Sequence, residues 1–383
     1  RNYLTYGVIP NQPGTPPLYP ITGAVEDNIF QEPDHVSSDA DVLAVAAVDQ
    51  LINTKTVMVD CQPIKIILSL KHDFTYPYQD KPPIGRVPTT IAEWGYLLTA
   101  IENLLTTNDR GKYIDILVVG NEPMYEVQPN TDQTTADNYA AYLNFLIGNL
   151  AALKQSKQWN FEIFVGALNR PSYLTVPDNR VLPAVLNVLQ SNPQLVAGID
   201  LHEHVMDPGE VLLDIQLVKQ YLQPRQKIIS TEFSLIELWT YRQNDPLGPW
   251  GKNNGYTDKT LLWKWINDLI RKAAAGHPVS QEYFMSYFNA QDWYPKHWFK
   301  TMFNIFEEQG VHAVTYGLEE APRYPWKANE LDGKAQPWVL NAVYNGTILG
   351  TSKDGYYNTN PLVFPDFRDA IDQRRHHLAK LPL

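Results

Sequence analysis

The 383-residue sequence contains a single cysteine, Cys61, and no long apolar run. One cysteine cannot form an intrachain disulfide or a thiolate metal cluster, which excludes a small disulfide-stapled domain. No apolar stretch approaches the roughly 18 to 20 residues that a membrane-spanning helix needs, so we expect no membrane partner. The chain opens at Arg1 without a signal sequence, and we expect a secreted or periplasmic protein whose signal peptide has been removed.

The sequence also lacks an excess of positive charge. It has 31 Lys and Arg residues against 42 Asp and Glu residues, which gives a formal net charge of −11 at pH 7. Proteins that bind nucleic acids neutralise phosphates with a basic surface, so nucleic acid is excluded as a partner.

Three glycine-based motifs are missing as well. The chain has no G-x-G-x-x-G and no G-x-x-x-x-G-K-S/T sequence, which argues against a dinucleotide or nucleoside triphosphate cofactor. It also has no G-x-S-x-G sequence, the elbow that carries the nucleophile of many serine hydrolases. We therefore predict an activity that needs no cofactor.

Aromatic residues, by contrast, are abundant. They make up 12% of the chain, including 22 Tyr and 10 Trp, while 44% of the residues are hydrophobic and 19% are charged. This composition is sufficient for a sizeable core and excludes a disordered polyelectrolyte. The excess of Tyr and Trp indicates a use outside the core.

Short β-branched apolar runs alternate with longer amphipathic runs along the chain. Strands are predicted at residues 4–9, 65–70, 114–119, 161–165, 198–202, 227–230 and 311–316, and their apolar character indicates buried parallel strands. Helices are predicted at residues 40–52, 90–105, 135–154, 178–190, 210–221, 258–275 and 296–309. An eighth strand is expected near residues 24–30 or 56–60. Eight such units predict an α/β fold of the (β/α)8 type, a TIM barrel.

The predicted barrel accounts for the whole chain as one domain. Residues 1–383 form a single catalytic barrel with long βα loops, and the residues after about 350 form a C-terminal extension packed on it. No Ser/Gly-rich linker separates a second module. We expect a monomer or a weak homo-oligomer.

Two glutamates follow apolar strands at places where a barrel builds its active site. Glu122 lies in the sequence Gly120-Asn121-Glu122-Pro123 after the predicted fourth strand, and Glu232 follows the predicted seventh strand. The carboxyl ends of these strands share one rim of the barrel and face each other across it. Two carboxylates on one rim are the groups that glycoside hydrolysis needs. About 5 to 5.5 Å between them gives retention, and about 6.5 to 9.5 Å gives inversion.

At these residues the sequence resembles the clan A glycoside hydrolases, retaining enzymes with catalytic glutamates on strands four and seven of a TIM barrel. Asn121-Glu122-Pro123 matches the acid/base motif of that clan. The resemblance implies that Glu122 is the acid/base, that Glu232 is the nucleophile, and that Asn121 binds the sugar 2-hydroxyl. It also places His204 beside Glu232, with His202 facing the substrate. Partial burial and the negative charge of Glu232 are expected to raise the pKa of Glu122.

Further residues are predicted to bind an oligo- or polysaccharide. Tyr316 stands on the eighth strand where the clan usually has a tryptophan, and Trp326 is expected to supply the missing aromatic platform. Lys71 and His72 follow the third strand, a position where many relatives have a basic residue. Flat aromatic rings match the apolar faces of sugars, which favours the aromatic residues of the loops as the lining of a sugar cleft. These residues are Tyr76, Tyr78, Tyr125, Trp239, Tyr241, Trp250, Trp293, Trp298 and Trp326.

Two alternatives stay open. The first is a metal-dependent TIM-barrel hydrolase, because His202 and His204 are spaced to point to the same side of a strand and to ligate zinc. The second is a barrel that binds carbohydrate without cleaving it. Nearby carboxylates, among them Glu126, Glu203 and Glu237, are predicted to be solvated loop charges or ligands of sugar hydroxyls.

Overall fold

The protein is an α/β structure built on one large sheet. The computed structural model describes residues 4–5, 23–27, 49, 52, 58–59, 62–63, 65–70, 87–174, 179–317, 337–353 and 355–378. The strands are β1 (Leu4–Thr5), β2 (Gly23–Asp27), β3 (Met58–Val59), β4 (Gln62–Pro63), β5 (Ile66–Leu70), β6 (Ile116–Val119), β7 (Glu162–Asn169), β8 (Gly198–His204), β9 (Lys227–Ser234) and β10 (Ala313–Val314).

Eight strands form the main sheet in the order β1-β2-β5-β6-β7-β8-β9-β10, and β3 pairs with β4 in a separate ribbon. From β2 onwards every neighbouring pair in the main sheet is parallel. Strand β2 fills the gap in the predicted series, close to the first of the two expected places. Strands β6 and β9 therefore hold the fourth and seventh positions in the sheet, as predicted.

The prediction of a parallel first strand is wrong for β1. Leu4 pairs with Val25 and Thr5 pairs with Ala24, so β1 runs antiparallel to β2. A two-residue strand at the end of a sheet is held by pairing on one side only, and its apolar sequence does not encode its direction.

The parallel strands are buried on both faces, which explains their continuous apolar sequences. One set of side chains forms a small cluster of Ile67, Ile116, Val118, Phe164 and Ile229, all buried. The alternate residues of the same strands, such as Leu68, Leu117 and Val165, belong to the larger core. Because side chains alternate between the faces of a strand, the small cluster fills the concave interior and the larger core lies between sheet and helices.

Twelve helices are described. They are α1 (Ile91–Thr106), α2 (Pro123–Glu126), α3 (Gln133–Lys157), α4 (Val181–Ser191), α5 (Glu210–Lys219), α6 (Ile236–Arg242), α7 (Gly248–Asn253), α8 (Leu262–Ala274), α9 (Gln281–Asn289), α10 (Trp298–Glu308), α11 (Gly346–Leu349) and α12 (Phe364–Leu378). The predicted helix at residues 40–52 lies largely outside the described residues. None of the helices within these ranges is long and apolar enough to cross a bilayer.

Local sequence signals set several helix ends. Helix α1 begins with a capping box, in which the Thr90 side chain accepts from the backbone of Glu93 while the Glu93 carboxylate accepts from the backbone of Thr90. Helix α3 begins at Asp132, whose carboxylate accepts from the backbone N–H of Thr135. Helix α12 packs on α10, with the Phe367 ring 5.9 Å from that of Phe299.

Two neighbouring strands contain bulges. The pairing of β7 with β8 slips by one residue between Val165 and Leu168. The pairing of β9 with β8 slips between Leu201 and His202, where Glu232 takes the place that Thr231 would hold in a regular ladder. A bulge reverses which face the following side chains point to. Ile229 accordingly lies in the interior cluster, whereas Phe233, four residues later, lies in the core on the helix side.

Candidate active site

Glu122 follows β6 on a tightly constrained turn. Its backbone adopts the left-handed conformation (φ 37°, ψ 49°), which is uncommon outside glycine and is typical of functional sites. Gly120 also has a positive φ of 98°, and a Cβ there would lie 2.5 Å from the carbonyl oxygen of Gly166. The Glu122 N–H donates to the carbonyl of Ala167 at 2.9 Å. Close contact with β7 thus fixes the position of the glutamate backbone.

Glu232 reaches the same interior because of the bulge in β9. Without the slip, Ile229, Thr231 and Phe233 would share one face, and Glu232 would point to the helices. With the slip, Phe233 packs among aromatic rings on the helix side, 4.7 Å from the Tyr316 ring and 5.1 Å from that of Phe299. The side chains of Glu122 and Glu232 are 23% and 19% exposed, so both carboxylates are accessible from solvent.

Two histidines of β8 lie between the carboxylates. Nε2 of His204 is 3.1 Å from Oε2 of Glu232 and 3.7 Å from Oε1 of Glu122. These two carboxylate oxygens are therefore no farther apart than the sum of the two distances, about 6.8 Å. On a flat sheet the three strand spacings between β6 and β9 would amount to about 14 Å. The sheet is therefore curled, and it brings the two glutamates together over its concave face.

His202 lies deeper than His204 and contacts both glutamates as well. Its Nδ1 is 3.4 Å from Oε1 of Glu122 and 3.9 Å from Oε2 of Glu232. Burial lowers the pKa of His202, but the negative charge of Glu232 and the hydrogen bond with Glu122 outweigh burial and raise the pKa to about 10. His202 is thus a cation between carboxylates at neutral pH.

The predicted raised pKa of Glu122 is wrong for the ligand-free protein. Burial raises the pKa of this carboxyl, but the hydrogen bond from His202 and the charges of His202 and His204 outweigh burial and lower the pKa. The expectation considered burial and the charge of Glu232, and it omitted the two histidines. Glu122 is consequently ionised in the free protein, with the proton nearby on His202.

Asp200 and Thr231 form the floor of the site. Burial raises the pKa of Asp200 to about 6. The Thr231 hydroxyl donates to Oδ2 of Asp200 at 2.5 Å and lies 3.1 Å from Nε2 of His202. A separate hydrogen bond orients His204, whose Nδ1 is 2.8 Å from the hydroxyl oxygen of Ser234. Both rings are therefore held at both nitrogen atoms.

Asn169 is a site residue that the sequence did not reveal. Its side-chain N–H donates to Oε1 of Glu122 at 2.6 Å. The predicted strand ended at Val165, whereas β7 continues to Asn169 through the bulge. A polar residue directly after the apolar run 163–168 was the available signal. Asn121, predicted to bind the sugar, is buried and donates to Oε1 of Glu126 at 3.0 Å.

Four predicted sugar platforms are buried parts of the core instead; they are Trp239, Trp250, Trp298 and Tyr316. Trp239 is 1% exposed and stacks on Tyr294, and its indole N–H donates to Oδ1 of Asn341 at 3.0 Å. Tyr316 is 4% exposed, and its hydroxyl donates to the backbone carbonyl of Asn341. Neither ring has a face free for a sugar, because dense aromatic packing covers both. Trp293 is half-buried beneath the Arg242 guanidinium, 5.3 Å from its ring centroid.

Several predicted residues lie outside the described part of the chain. Their placement in the site stays a prediction; they are Lys71, His72, Tyr76, Tyr78 and Trp326.

Exposed tyrosines lie on the loops that follow β6 and β7. Tyr125, three residues after Glu122, is 44% exposed, and Tyr173 is 69% exposed. The Arg170 guanidinium covers one face of the Tyr173 ring at 4.3 Å. The same arginine forms ion pairs with Glu210 at 3.2 Å and Glu237 at 3.6 Å. The rim next to Glu122 therefore carries accessible aromatic surface.

The prediction of solvated carboxylates is wrong for Glu203 and Glu126, which are both buried. Glu203 alternates with His202 and His204 on β8, so it points to the helix side of the strand. Burial and the neighbouring carboxylate of Asp214 raise its pKa well above the usual range. Glu203 is therefore a core residue whose burial favours the protonated form.

Glu122, His202 and His204 are close enough to suggest a metal-binding group, with one ligand atom of each within 4.8 Å of the others. In this arrangement Nδ1 of His202 and Nε2 of His204 face carboxylate oxygens at hydrogen-bond distances. A metal ion requires an unprotonated nitrogen with a free lone pair. The raised pKa of His202 favours the proton over a metal ion at Nδ1.

Comparison with solved structures finds glycoside hydrolases. The chain is similar to a fungal β-1,4-galactanase, with 14% identity over 90% of this chain and 87% of that one and a TM-score of 0.45. A family 5 xyloglucanase from Paenibacillus pabuli shares 12% identity over 91% of this chain and 85% of that one, with a TM-score of 0.39.

An endo-β-1,6-glucanase is 13% identical and matches 64% of this chain with a TM-score of 0.33; this chain spans about half the length of that enzyme, 48%. No protein-family model matches the sequence. No curated protein matches it either.

Proposed function

We propose that the protein is a retaining glycoside hydrolase with Glu122 as the acid/base and Glu232 as the nucleophile. The observation that supports this most directly is the position of His204, whose Nε2 contacts carboxylate oxygens of both glutamates. The two carboxylates come from the fourth and seventh strands of the sheet, and both are accessible from solvent. Two carboxyl groups so placed can protonate a glycosidic oxygen and attack the anomeric carbon.

The separation of the carboxylates favours retention over inversion. Oε1 of Glu122 and Oε2 of Glu232 are at most about 6.8 Å apart. Inverting enzymes place their two carboxyl groups roughly 6.5 to 9.5 Å apart, so these two atoms fall outside most of that range. Direct attack by Glu232 forms a glycosyl-enzyme ester, which water then hydrolyses while Glu122 acts as base. His204 orients Glu232 for the attack by its hydrogen bond at 3.1 Å.

The proposed substrate is an oligo- or polysaccharide. The exposed rings of Tyr125 and Tyr173 lie on loops beside Glu122, and aromatic faces bind the apolar faces of sugars. A cleft with such rings at its rim suits a chain of sugars better than a small metabolite. Trp293 and Trp326 remain proposed platforms.

We also propose that the curled sheet closes into a (β/α)8 barrel. Seven successive strands in the sheet are parallel, and the curl already brings β6 and β9 into the same site. Closure would place β1 between β2 and β10. Because β1 is antiparallel to β2, the closed barrel would contain seven parallel strands and one antiparallel strand, instead of the eight parallel strands of a regular TIM barrel.

The proposal is tested by replacing each glutamate in turn. Wild-type protein is first screened on aryl glycosides and polysaccharides, and the anomer of the product is followed by NMR. Glu232→Ala and Glu122→Ala should each lower kcat by about 10⁴-fold or more on an unactivated substrate. Azide should restore turnover to Glu232→Ala and give a glycosyl azide of inverted configuration, because azide occupies the space of the nucleophile.

Glu162→Ala is the matched control. This carboxylate lies at the opposite end of β7 and forms a half-exposed ion pair with Lys227 at 2.7 Å. Its loss should cost at most about 1 kcal/mol of stability and leave turnover unchanged. Full activity in either catalytic variant would refute the assignment, and product of inverted configuration from the wild type would refute retention.

Treatment with a chelator separates this proposal from a metal-dependent hydrolase. A glycosidase that uses two carboxylates keeps its activity in EDTA, because neither step involves a metal ion. Loss of activity in EDTA and its return with added zinc would favour the metal alternative. A protein that binds oligosaccharides but cleaves none of the panel would favour the non-catalytic alternative.

A further inference from the structure

Hydrogen bonds connect Asp200, Thr231 and His202 in a continuous chain that ends at Glu122. The Thr231 hydroxyl is 2.5 Å from Oδ2 of Asp200 and 3.1 Å from Nε2 of His202. The backbone N–H of Thr231 donates to Oδ1 of Asp200 at 2.9 Å. The other nitrogen of His202, Nδ1, is 3.4 Å from Oε1 of Glu122. Asp200, Thr231 and His202 are all at least 97% buried, so no bulk solvent interrupts the chain.

The direction of these hydrogen bonds follows from the chemistry of their groups. An ionised Asp200 can only accept, so the Thr231 hydroxyl donates its single proton to Asp200. The hydroxyl oxygen is then the acceptor toward His202, which places an N–H on Nε2. Nδ1 is left as the ring atom that gains or loses a proton. Because Nδ1 faces a carboxylate oxygen, one proton lies in that contact; without it, two lone pairs would face each other.

From this geometry we propose that His202 and Glu122 share the proton of the general acid, and that Thr231 and Asp200 are positioning residues that hold it at their contact. The proposal rests on the proposed function, because it specifies where a glycosidase of this kind stores its acidic proton. It also explains how a glutamate that is ionised in the free protein can act as an acid. The proton needs to move only from Nδ1 to Oε1.

The pair formed by His202 and Glu122 donates one proton and recovers one in each turnover. In the first step the glycosidic C–O bond breaks, an oxygen of Glu232 bonds to the anomeric carbon, and the pair passes its proton through Glu122 to the leaving oxygen. In the second step water bonds to the anomeric carbon, the bond to Glu232 breaks, and a proton of that water returns to the pair. Protons and charges balance over the two steps.

The charges around His202 couple this proton to the chemistry. Glu122 faces the ring from the end of β6, Asn169 from β7, Asp200 and His204 from β8, and Glu232 from β9. Among these neighbours, the charge of Glu232 is the main cause of the raised pKa of His202. That charge disappears when Glu232 bonds to the sugar. The affinity of His202 for its proton therefore falls in the same step in which the leaving oxygen must be protonated.

NMR of protein labelled with ¹⁵N in its histidine rings tests the location of the proton without any substrate. The His202 signals are assigned by their loss in His202→Gln. We expect Nε2 of His202 to carry a proton in the wild type at every pH between about 7 and 9. In Asp200→Asn the backbone N–H of Thr231 keeps the amide oxygen in place, so the amide NH2 faces the hydroxyl. The hydroxyl must then donate to Nε2, so Nε2 should lose its proton while the proton between Nδ1 and Glu122 stays.

Kinetics with two leaving groups tests the positioning role. Thr231→Val should lose about 10- to 100-fold in kcat/KM on a phenyl glycoside, which needs an acid, and under about 3-fold on a 2,4-dinitrophenyl glycoside, which does not. Thr231→Ser, which keeps the hydroxyl, should stay within about 3-fold of wild type on both substrates.

The outcomes separate the two proposals. An unprotonated Nε2 in the wild type, or equal losses of Thr231→Val on both glycosides, would overturn the shared proton. A wild type that cleaves no glycoside would refute the proposed function, whereas a proton on Nε2 that is present in the wild type and lost in Asp200→Asn would still support the placement of the proton.

Discussion

Strand β8 and its neighbours β7 and β9 deliver polar side chains to one site in different ways. On β8 the alternation is regular: Asp200, His202 and His204 point inwards, while the residues between them point to the helices. On β7 and β9 a bulge reverses the faces, and only for this reason do Asn169 and Glu232 point inwards. Regular pairing therefore places the histidines, and one extra residue in each neighbouring strand places the groups that these histidines contact.

Insertion of one alanine between Thr231 and Glu232 should reverse the faces a second time and have the largest effect. The inserted residue takes the place of Glu232 opposite His202, so Glu232 turns to the helix side and Phe233 turns inwards, away from Phe299, Phe306 and Tyr316. We expect activity to fall by about 10⁴-fold or more. The free energy of unfolding, measured in denaturant, should fall by about 3 to 5 kcal/mol because an aromatic core residue is displaced.

Glu232→Ala is the comparison variant for this insertion. It should lose activity to the same extent but keep most of its stability, because Phe233 stays in place. If the insertion variant remains active, the register of β9 is not what turns Glu232 inwards.

Gly166→Ala tests how closely β7 and β8 approach at the bulge. Gly166 has a φ of 130°, and a Cβ there would lie 2.6 Å from the carbonyl oxygen of Asp200. Backbone strain together with this overlap should lower the free energy of unfolding by about 3 kcal/mol or more. Gly148→Ala is the control, since Gly148 lies in helix α3 with no atom within 4 Å of the added Cβ. That change should stabilise the protein by up to about 1 kcal/mol. Equal melting temperatures for the two variants would contradict the prediction.

Asn169→Ala removes the hydrogen bond that the β7 bulge directs at Glu122. A hydrogen bond to a charged group contributes about 1.5 to 3 kcal/mol, so kcat/KM should fall by about 10- to 100-fold. Asn144→Ala, at an exposed position of helix α3, should leave kcat/KM unchanged. A wild-type rate in Asn169→Ala would show that Glu122 is held without this contact.

His202→Gln should change the pH dependence of stability in a defined window. The pKa of His202 is raised from its usual value near 6.5 to about 10 in the folded protein. Its stabilising contribution is therefore complete below about pH 6.5 and is lost as the pH rises to about 10. The melting temperature of the wild type should decline more steeply between these values than that of His202→Gln. His277→Gln, a change at an exposed position, is the control and should show the same decline of melting temperature with pH as the wild type. The same decline in His202→Gln would contradict the raised pKa of His202.

Most of the parallel sheet could be predicted from the sequence, because buried strands have a strong local signal. The apolar runs at Ile66–Leu70 and Ile116–Val119 are fully buried, and the expected strand near residue 24 is β2. Helix α9 (Gln281–Asn289) was not predicted, since its aromatic residues are buried against rings from distant segments such as Trp250 and Trp265. Local periodicity carries no information about such partners.

The site could be predicted only where regular strand geometry holds. The spacing of His202 and His204 was enough to place them together on one face of β8. Asn169 was missed because its orientation depends on a bulge, and a bulge is defined by pairing between strands rather than by the residues of one strand. Trp239 was misassigned for a related reason: in the sequence, an aromatic residue after a strand looks the same whether a later helix covers it or a ligand does.

Glu203, on the helix side of β8, has a consequence for the charge of the whole molecule. Its carboxyl is ionised in the unfolded chain at neutral pH, and burial beside Asp214 raises its pKa in the folded protein, so folding favours the uptake of a proton there. His202 takes up a second proton between its usual pKa and about 10. Each uptake removes one negative charge from the formal value of −11. The folded protein should therefore migrate as a less acidic particle than its composition states, and folding in a weakly buffered solution near neutral pH should raise the pH.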